Sequence, residues 1–109
     1  MELRHLRYFI AVADAGSLTV AAEQTLHTSQ PSLSRQIRAL EQEVGVALMN
    51  RSANGIELTS AGKAFLDHAR MALLQADAAK EAALRAAQPA SPIFALGFIS
   101  GAEDRKSVV

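Results

Sequence analysis

Two arginines, Arg35 and Arg38, are the only charged side chains between Glu23 and Glu41. At helical spacing they fall on one side, together with Pro31 and Gln42. A short polar and cationic face of this kind suits a helix that enters a DNA groove. It also suits the solvated outer wall of an ordinary core helix, and the pattern alone leaves both readings open. A third arginine, Arg51, follows in a turn-rich segment, where it can reach a phosphate or a minor groove. Other chemistry is poorly supplied. No nucleophile stands with a base, no paired carboxylates lie in a pocket-forming context, and no glycine-rich phosphate loop occurs, so the chain does not read as an enzyme. His5, His27 and His68 have no ligand-type partner at suitable spacing, which predicts no metal site and no cofactor.

The segment that must hold Arg35 and Arg38 is predicted as a helix over 29–44. Leu33, Ile37, Leu40 and Val44 share one narrow stripe. Ser29 supplies an N-cap oxygen, Pro31 sits in the first turn where its missing N–H is not needed, and Gly45 stops the helix. The stripe is expected to face a core, with the cationic side outward.

Composition allows such a core but gives no broad electrostatic footprint. The chain has 109 residues, half of them apolar, and 11 basic against 11 acidic side chains. A positive field must therefore be local, which favours a few placed contacts over a basic surface. There are no cysteines, which excludes a disulfide scaffold and is compatible with a cytoplasmic location. The start, MELRHLRYF, has charges among its apolar residues and is not a signal peptide. No apolar run approaches the ~18–20 residues that cross a bilayer, so no membrane partner is expected.

The flanking segments fill in the architecture. Leu3, Leu6, Phe9, Ile10 and Ala13 recur at helical spacing, with Arg4 and Arg7 on the other side, and Gly16 ends that helix. Arg4 can touch a phosphate or stay solvated. Ser17 caps a second helix over 17–26, whose buried face would be Leu18, Ala21, Ala22 and Leu26; paired alanines let another helix approach closely. His27 and Thr28 then make a short connection to the helix at 29–44, so the pair forms a helix-turn-helix. Asn54-Gly55, followed by Ile56 and Leu58 alternating with Glu57, predicts a β-hairpin with Arg51 near its tip. That hairpin is either a wing or a cover over the core.

Thr59, or alternatively Ser60, caps a long helix running to about Ala87. Its length would be ~40 Å, and its distal half, QADAAKEAALRAAQ, is rich in alanine. A second copy of the same helix would bury the apolar stripe; a monomeric solvated spacer is the other reading. Pro89, Ser91 and Pro92 mark a linker, and the apolar run 93–99 reads as the first strand of a domain that does not follow. Such a strand would be expected to be disordered, or to pair opportunistically through its exposed edge.

Taken together these stretches resemble the N-terminal part of LysR-type bacterial transcriptional regulators. The resemblance rests on LRHLRYF at 3–9, GSLT at 16–19, AAE at 21–23, SQPSLSRQI at 29–37, Leu40-Glu41, Gly45, Leu48, Arg51, Leu58-Thr59 and Ala61-Gly62, and it covers residues 1 to about 99. The N-terminal wording is similar to that of members controlling breakdown of aromatic compounds. The resemblance implies a mainly α fold: a winged helix-turn-helix of three helices and a small hairpin over 1–59, then a long dimerising linker helix over 60–88. Residues 89–109 would be a hinge and the start of a truncated effector domain.

The implied function is sequence-specific binding of double-stranded promoter DNA, by a homodimer whose full-length parent is a tetramer. A small-molecule inducer would act only through the missing domain. Position by position, the contacting residues fall on Gln30, Pro31, Ser34, Arg35 and Arg51, with Ser32 and Arg38 beside them. The chemistry agrees: Gln30 can pair with adenine and Arg35 with guanine, each worth ~1–3 kcal/mol of discrimination. Pro31 offers a flat contact to a thymine methyl, and Ser32 and Ser34 can donate to phosphates. The alternative function is a helical dimerisation or interaction module without specific DNA binding.

One feature departs from the family pattern. Three residues, Glu23, Gln24 and Thr25, separate Ala22 from Leu26, where members of the family usually have two. The extra residue must either bulge within the second helix or lengthen the turn, and either could shift the helix at 29–44.

Overall fold

The computed structural model describes residues 1–88. The linker expected at Pro89, Ser91 and Pro92 and the strand expected at 93–99 lie outside the described residues. The chain divides into two compact units, Met1–Asp77 and Ala78–Val109.

In the first unit, α1 spans Leu3–Ala15 and buries Leu6, Phe9 and Val12. Their spacing of three places them on one face. Gly16 stops the helix in the left-handed region, φ 68°, where its N–H donates to Val12 O at 2.9 Å. Helix α2 begins at Leu18–Val20 with Ser17 as N-cap, the Ser17 hydroxyl accepting from Val20 N at 3.1 Å. It continues as a π turn over Ala21–Leu26. Helix α3 follows over Gln30–Val44. Strands β1 (Met49–Ser52) and β2 (Gly55–Leu58) form an antiparallel hairpin, and α4 runs over Ser60–Ala87.

The π turn is where the extra residue goes. A π turn closes i→i+5 instead of i→i+4, so a single turn absorbs one inserted residue. Ala21 and Ala22 stay wholly buried, Glu23, Gln24 and Thr25 are exposed, and Leu26 returns to the core. His27 then ends the element at φ 53°, the one positive φ among the described non-glycine residues. The insertion is thus a bulge within the helix, and Thr28 N donates to Ala22 O at 2.9 Å to close it.

The core joins Phe9 and Val12 of α1, Ala21 and Ala22 of α2, Leu33, Ile37 and Leu40 of α3, and Leu48 before the hairpin, all between 0% and 1% exposed. Burial of each large apolar side chain contributes ~1.5–3 kcal/mol. Phe65 of α4 packs edge-on against Phe9, the ring centroids 5.2 Å apart. Thr59 rather than Ser60 caps α4, its hydroxyl accepting from Gly62 N at 3.0 Å and donating to Ala47 O at 2.8 Å. Gly62 lies so close to Leu48 that a Cβ there would stand 1.9 Å from the Leu48 carbonyl oxygen; only glycine fits. Arg70 pairs with Asp14, and that hydrogen bond raises the guanidinium above its ordinary pKa.

In the second unit, residues 78–87 are helical and exposed throughout. Glu81 and Arg85 stand 4.0 Å apart at i,i+4, an exposed pair of little energetic weight.

Candidate nucleic-acid interface

Helix α3 is set by local chemistry at both ends. Ser29 takes extended backbone angles and its hydroxyl accepts from Ser32 N at 3.2 Å. Pro31 lies in the first turn. Gly45, at φ 98°, lets the chain leave, its N–H donating to Glu41 O at 2.8 Å. Leu33, Ile37 and Leu40 are buried as the stripe requires, but Val44 is 40% exposed. The core beneath the stripe ends one turn earlier, at Leu40, so the predicted stripe is a residue too long.

On the outward side Pro31, Arg35, Arg38 and Gln42 are exposed, and Gln30 and Ser32 are half-buried. Ser34 is only 8% exposed. It follows Leu33 and precedes Ile37 by three, which puts it at the margin of the buried stripe rather than on the outer face. The ion pairs among the described residues join Met1 to Glu43, Arg4 to Glu2, Arg70 to Asp14 and Arg85 to Glu81. Arg35, Arg38 and Arg51 are in none of these pairs.

Three residues whose roles the sequence did not reveal, His5, Gln36 and Glu41, hold α3 in place. The His5 Nδ1 accepts from Glu2 N at 3.1 Å, so Nε2 carries the ring hydrogen and donates to Gln36 Oε1 at 3.1 Å. This ties α1 to the middle of α3. The Glu41 carboxylate accepts from Leu48 N at 2.8 Å and Met49 N at 3.2 Å, which fixes the departure of the chain toward the hairpin. Leu40-Glu41 was present in the family pattern, but its reason appears only once Leu48 and Met49 are seen to turn back.

The hairpin differs in detail from expectation. The turn lies at Ala53 and Asn54, and Gly55 already pairs with Ser52 in the ladder. Asn54 does not take a positive φ; Gly55 does, at 118°. This is the arrangement of a turn with glycine at its fourth position, rather than one with Asn-Gly at its centre. Gly55 also meets the end of α1: Ile56 N donates to Gly16 O at 3.1 Å, and a Cβ on Gly55 would stand 2.5 Å from that same oxygen. Arg51 pairs with Ile56, one step before the closing pair. It is half-buried, and its Nε and Nη2 are buried without a hydrogen-bond partner among the described residues. It stands near the tip, as the sequence predicts, and lines a cleft. That cleft, of about 420 Å³, is bounded by Ser17, Thr19, Gln30, Arg51, Ser52 and Asn54, among others.

A helix with a buried stripe and a free cationic face, preceded by a short helix and followed by a hairpin, is a winged helix-turn-helix. Residues 3–63 match the model of the bacterial regulatory helix-turn-helix protein, lysR family. The chain belongs to this family. Similar LysR-family proteins include the HTH-type transcriptional regulator AlsR of Bacillus subtilis, 48% identical over 94% of this chain and 33% of its own length. The Hca operon transcriptional activator HcaR of Escherichia coli is 52% identical over 94% of this chain and 34% of its own. The chain therefore spans about a third of the length of these relatives. Among solved structures, the crystal structure of a CbnR_DBD–DNA complex superposes with a TM-score of 0.78, at 51% identity, over 81% of this chain and all of that one. Among the described residues no helix is long and apolar enough to cross a membrane, and no group of three or more His, Cys, Asp or Glu could hold a metal ion.

Proposed function

We propose that this LysR-family domain binds double-stranded promoter DNA in a sequence-specific way, with α3 in the major groove. The observation that carries the reading is the division of α3 itself. Leu33, Ile37 and Leu40 are sealed in the core, while Pro31, Arg35 and Arg38 are exposed on the opposite side, and neither arginine is in an ion pair among the described residues. Gln30, Pro31 and Arg35 read base edges. Ser32 and Arg38 hold backbone, and Ser34, at the edge of the buried stripe, offers its hydroxyl only to a closely seated groove. The near-neutral charge supports placed contacts over broad attraction.

Residues 1–59 are the DNA-binding part, 60–88 the linker helix, and 89–109 the entry to an effector domain. Met71, Leu74 and Leu84 are exposed along α4, which supports pairing with a second copy. In the longer protein a small-molecule inducer acts outside the DNA-binding part, a tetramer controls the promoter, and the regulator works in the cytoplasm without enzymatic activity of its own.

Arg35→Ala tests the reading. It is expected to lose ~1–3 kcal/mol of discrimination at one base pair in each half-site while other positions keep their ranking. Competition binding across a set of single-base-pair variants measures this. Affinity should also fall steeply as salt rises. A flat salt response, or an Arg35→Ala protein with unchanged base preference, would favour the interaction-module reading instead.

A further inference from the structure

Helix α4 is fastened to the rest of the first unit along one face. Gly62 lies against the Leu48 carbonyl, Phe65 packs edge-on against Phe9, and Ala69 is 3% exposed. These positions recur every three or four residues, so they form a single line along the helix. The first of them is a pivot, because backbone meets backbone there with no side chain between to adjust. The Leu48 oxygen also accepts from Thr59 N at 3.1 Å, which pins the start of the helix. After Ala69 the line gives out, and Met71 and Leu74 are exposed. At that point stands an ion pair that closes across 56 residues of sequence: Arg70 Nη1 donates to Asp14 Oδ2 at 3.4 Å, and Nη2 donates to Oδ1. Among the described residues, no ion pair or side-chain hydrogen bond beyond Arg70 joins α4 to another element of the first unit.

We propose that the Asp14–Arg70 pair is a strut: it sets the angle at which α4 leaves the DNA-binding body, and so the half-site spacing that a paired molecule accepts on DNA. This rests on the reading of the chain as a DNA-binding domain that pairs through α4. Asp14 and Arg70 act there as positioning residues, without a DNA contact of their own.

The placement of Asp14 makes the pair consequential. It lies in the last turn of α1, two residues before Gly16, whose carbonyl accepts from Ile56 N of the hairpin. Helix α1 is in turn locked to α3 through Phe9, Val12, Leu33 and Ile37 in the core and through the His5–Gln36 hydrogen bond. A displacement at Asp14 therefore carries α1, α3 and the hairpin together against α4. Both partners are about half exposed, so the pair adds little to stability. Two parallel N–H···O bonds nonetheless fix orientation as well as distance.

The lever arm sets the size of the effect. Arg70 is eight residues from Gly62, an arm of ~12 Å along the helix. A slackening of ~1 Å at Arg70 rocks α4 by ~5° about the pivot and moves Asp77, ~22 Å from it, by ~2 Å. Two subunits double this to ~4 Å, close to the ~3.4 Å rise of one base pair. The strut therefore decides between neighbouring spacings and not between binding and no binding.

The test reads spacing. A bound duplex is selected from a random-sequence pool, and its two half-sites are moved together or apart one base pair at a time. Affinities are measured for the unaltered chain, Asp14→Ala, Arg70→Ala, Arg70→Lys and the exchange of Asp14→Arg with Arg70→Asp. The unaltered chain is expected to lose about tenfold for a shift of one base pair, as for a mismatched contact. Each alanine variant is expected to lose about two- to fivefold at the best spacing, and its further penalty for the shift should shrink to about twofold. The exchange should restore the narrow profile. Arg70→Lys keeps the charge but not the two parallel bonds, and should fall between. Binding to a duplex with a single half-site, and thermal melting, should stay unchanged, because neither residue lies on the outer face of α3 or in the core.

Alanine variants with the spacing profile of the unaltered chain, or an exchange that leaves the profile broad, would overturn the proposal. An equal loss at every spacing with a lower melting temperature would also overturn it, by making the pair a stabilising contact only. The unaltered chain alone reports on the reading beneath. If it binds no duplex, the DNA reading fails; if it binds single and paired half-sites equally well, pairing through α4 fails, and the strut fails with either.

Discussion

The two helices of the helix-turn-helix begin alike and then diverge. Each starts at a serine with extended backbone whose hydroxyl accepts from the third amide onward, Ser17 from Val20 and Ser29 from Ser32. From there α3 runs 15 residues as an unbroken α-helix and ends on a glycine. The first helix keeps α geometry for only three residues, turns π over the next six, and ends on a histidine in the left-handed region. The core contacts explain the difference. The first helix must present Ala21 and Ala22 at one end and Leu26 at the other, with one residue too many between them. The surplus goes to the solvent side as Glu23, Gln24 and Thr25, and the buried positions keep their places. Helix α3 has no surplus: its three buried apolar residues recur at α spacing, and Pro31, Arg35 and Arg38 are exposed on the other side as a consequence.

This contrast can be broken at its strongest point by Ile37→Ala. Ile37 is wholly buried in the middle of α3, so the change is expected to cost ~2–5 kcal/mol, measured by urea or thermal unfolding. A cost below about 1 kcal/mol would mean that α3 is not the side of the motif tied to the core. Ser29→Ala comes next. It removes the cap that starts α3 and should cost ~1 kcal/mol; the parallel change Ser17→Ala should cost a similar amount if the two starts are truly equivalent. The smallest effect is the most informative. Deleting Gln24 removes the surplus residue and should let the π turn become α. The protein should then keep its fold and unfold at a temperature equal to or slightly above the original, a gain of at most about 1 kcal/mol. DNA affinity should change little, because the core contacts that aim α3 are untouched. A marked loss of stability would show that the π turn is demanded by the packing and is not merely an absorbed insertion.

Much of the fold was legible along the chain because its signals are local. Capping serines, the glycine stops at 16 and 45, and the stripe of Leu33, Ile37 and Leu40 depend on neighbours within a turn or two. The outward face of α3 followed from the same periodicity, which is why Pro31, Arg35 and Arg38 stand where the sequence placed them. What was missed depends on contacts far apart in sequence. Val44 looked like core because periodicity cannot say where the core ends. The turn moved from Asn54-Gly55 to Ala53-Asn54 because the close approach of Gly55 to Gly16 fixes where the glycine must stand. Glu41, His5 and Gln36 stood in the family pattern, but their hydrogen-bond partners lie too far away in sequence for the pattern to show them.

By itself, then, the sequence determined the order and kind of the elements, the family, and the candidate readers on α3, since periodicity, capping and motif spacing are short-range properties. Tertiary structure decided the rest. It sent the extra residue into a π turn and not into a longer loop, because the buried alanines and Leu26 had to meet the same core. It also made Arg51, near the hairpin tip, line a cleft with Ser17, Thr19 and Gln30, because β2 docks on the end of α1. Both outcomes come from surfaces meeting across the fold, which no stretch of the chain records alone.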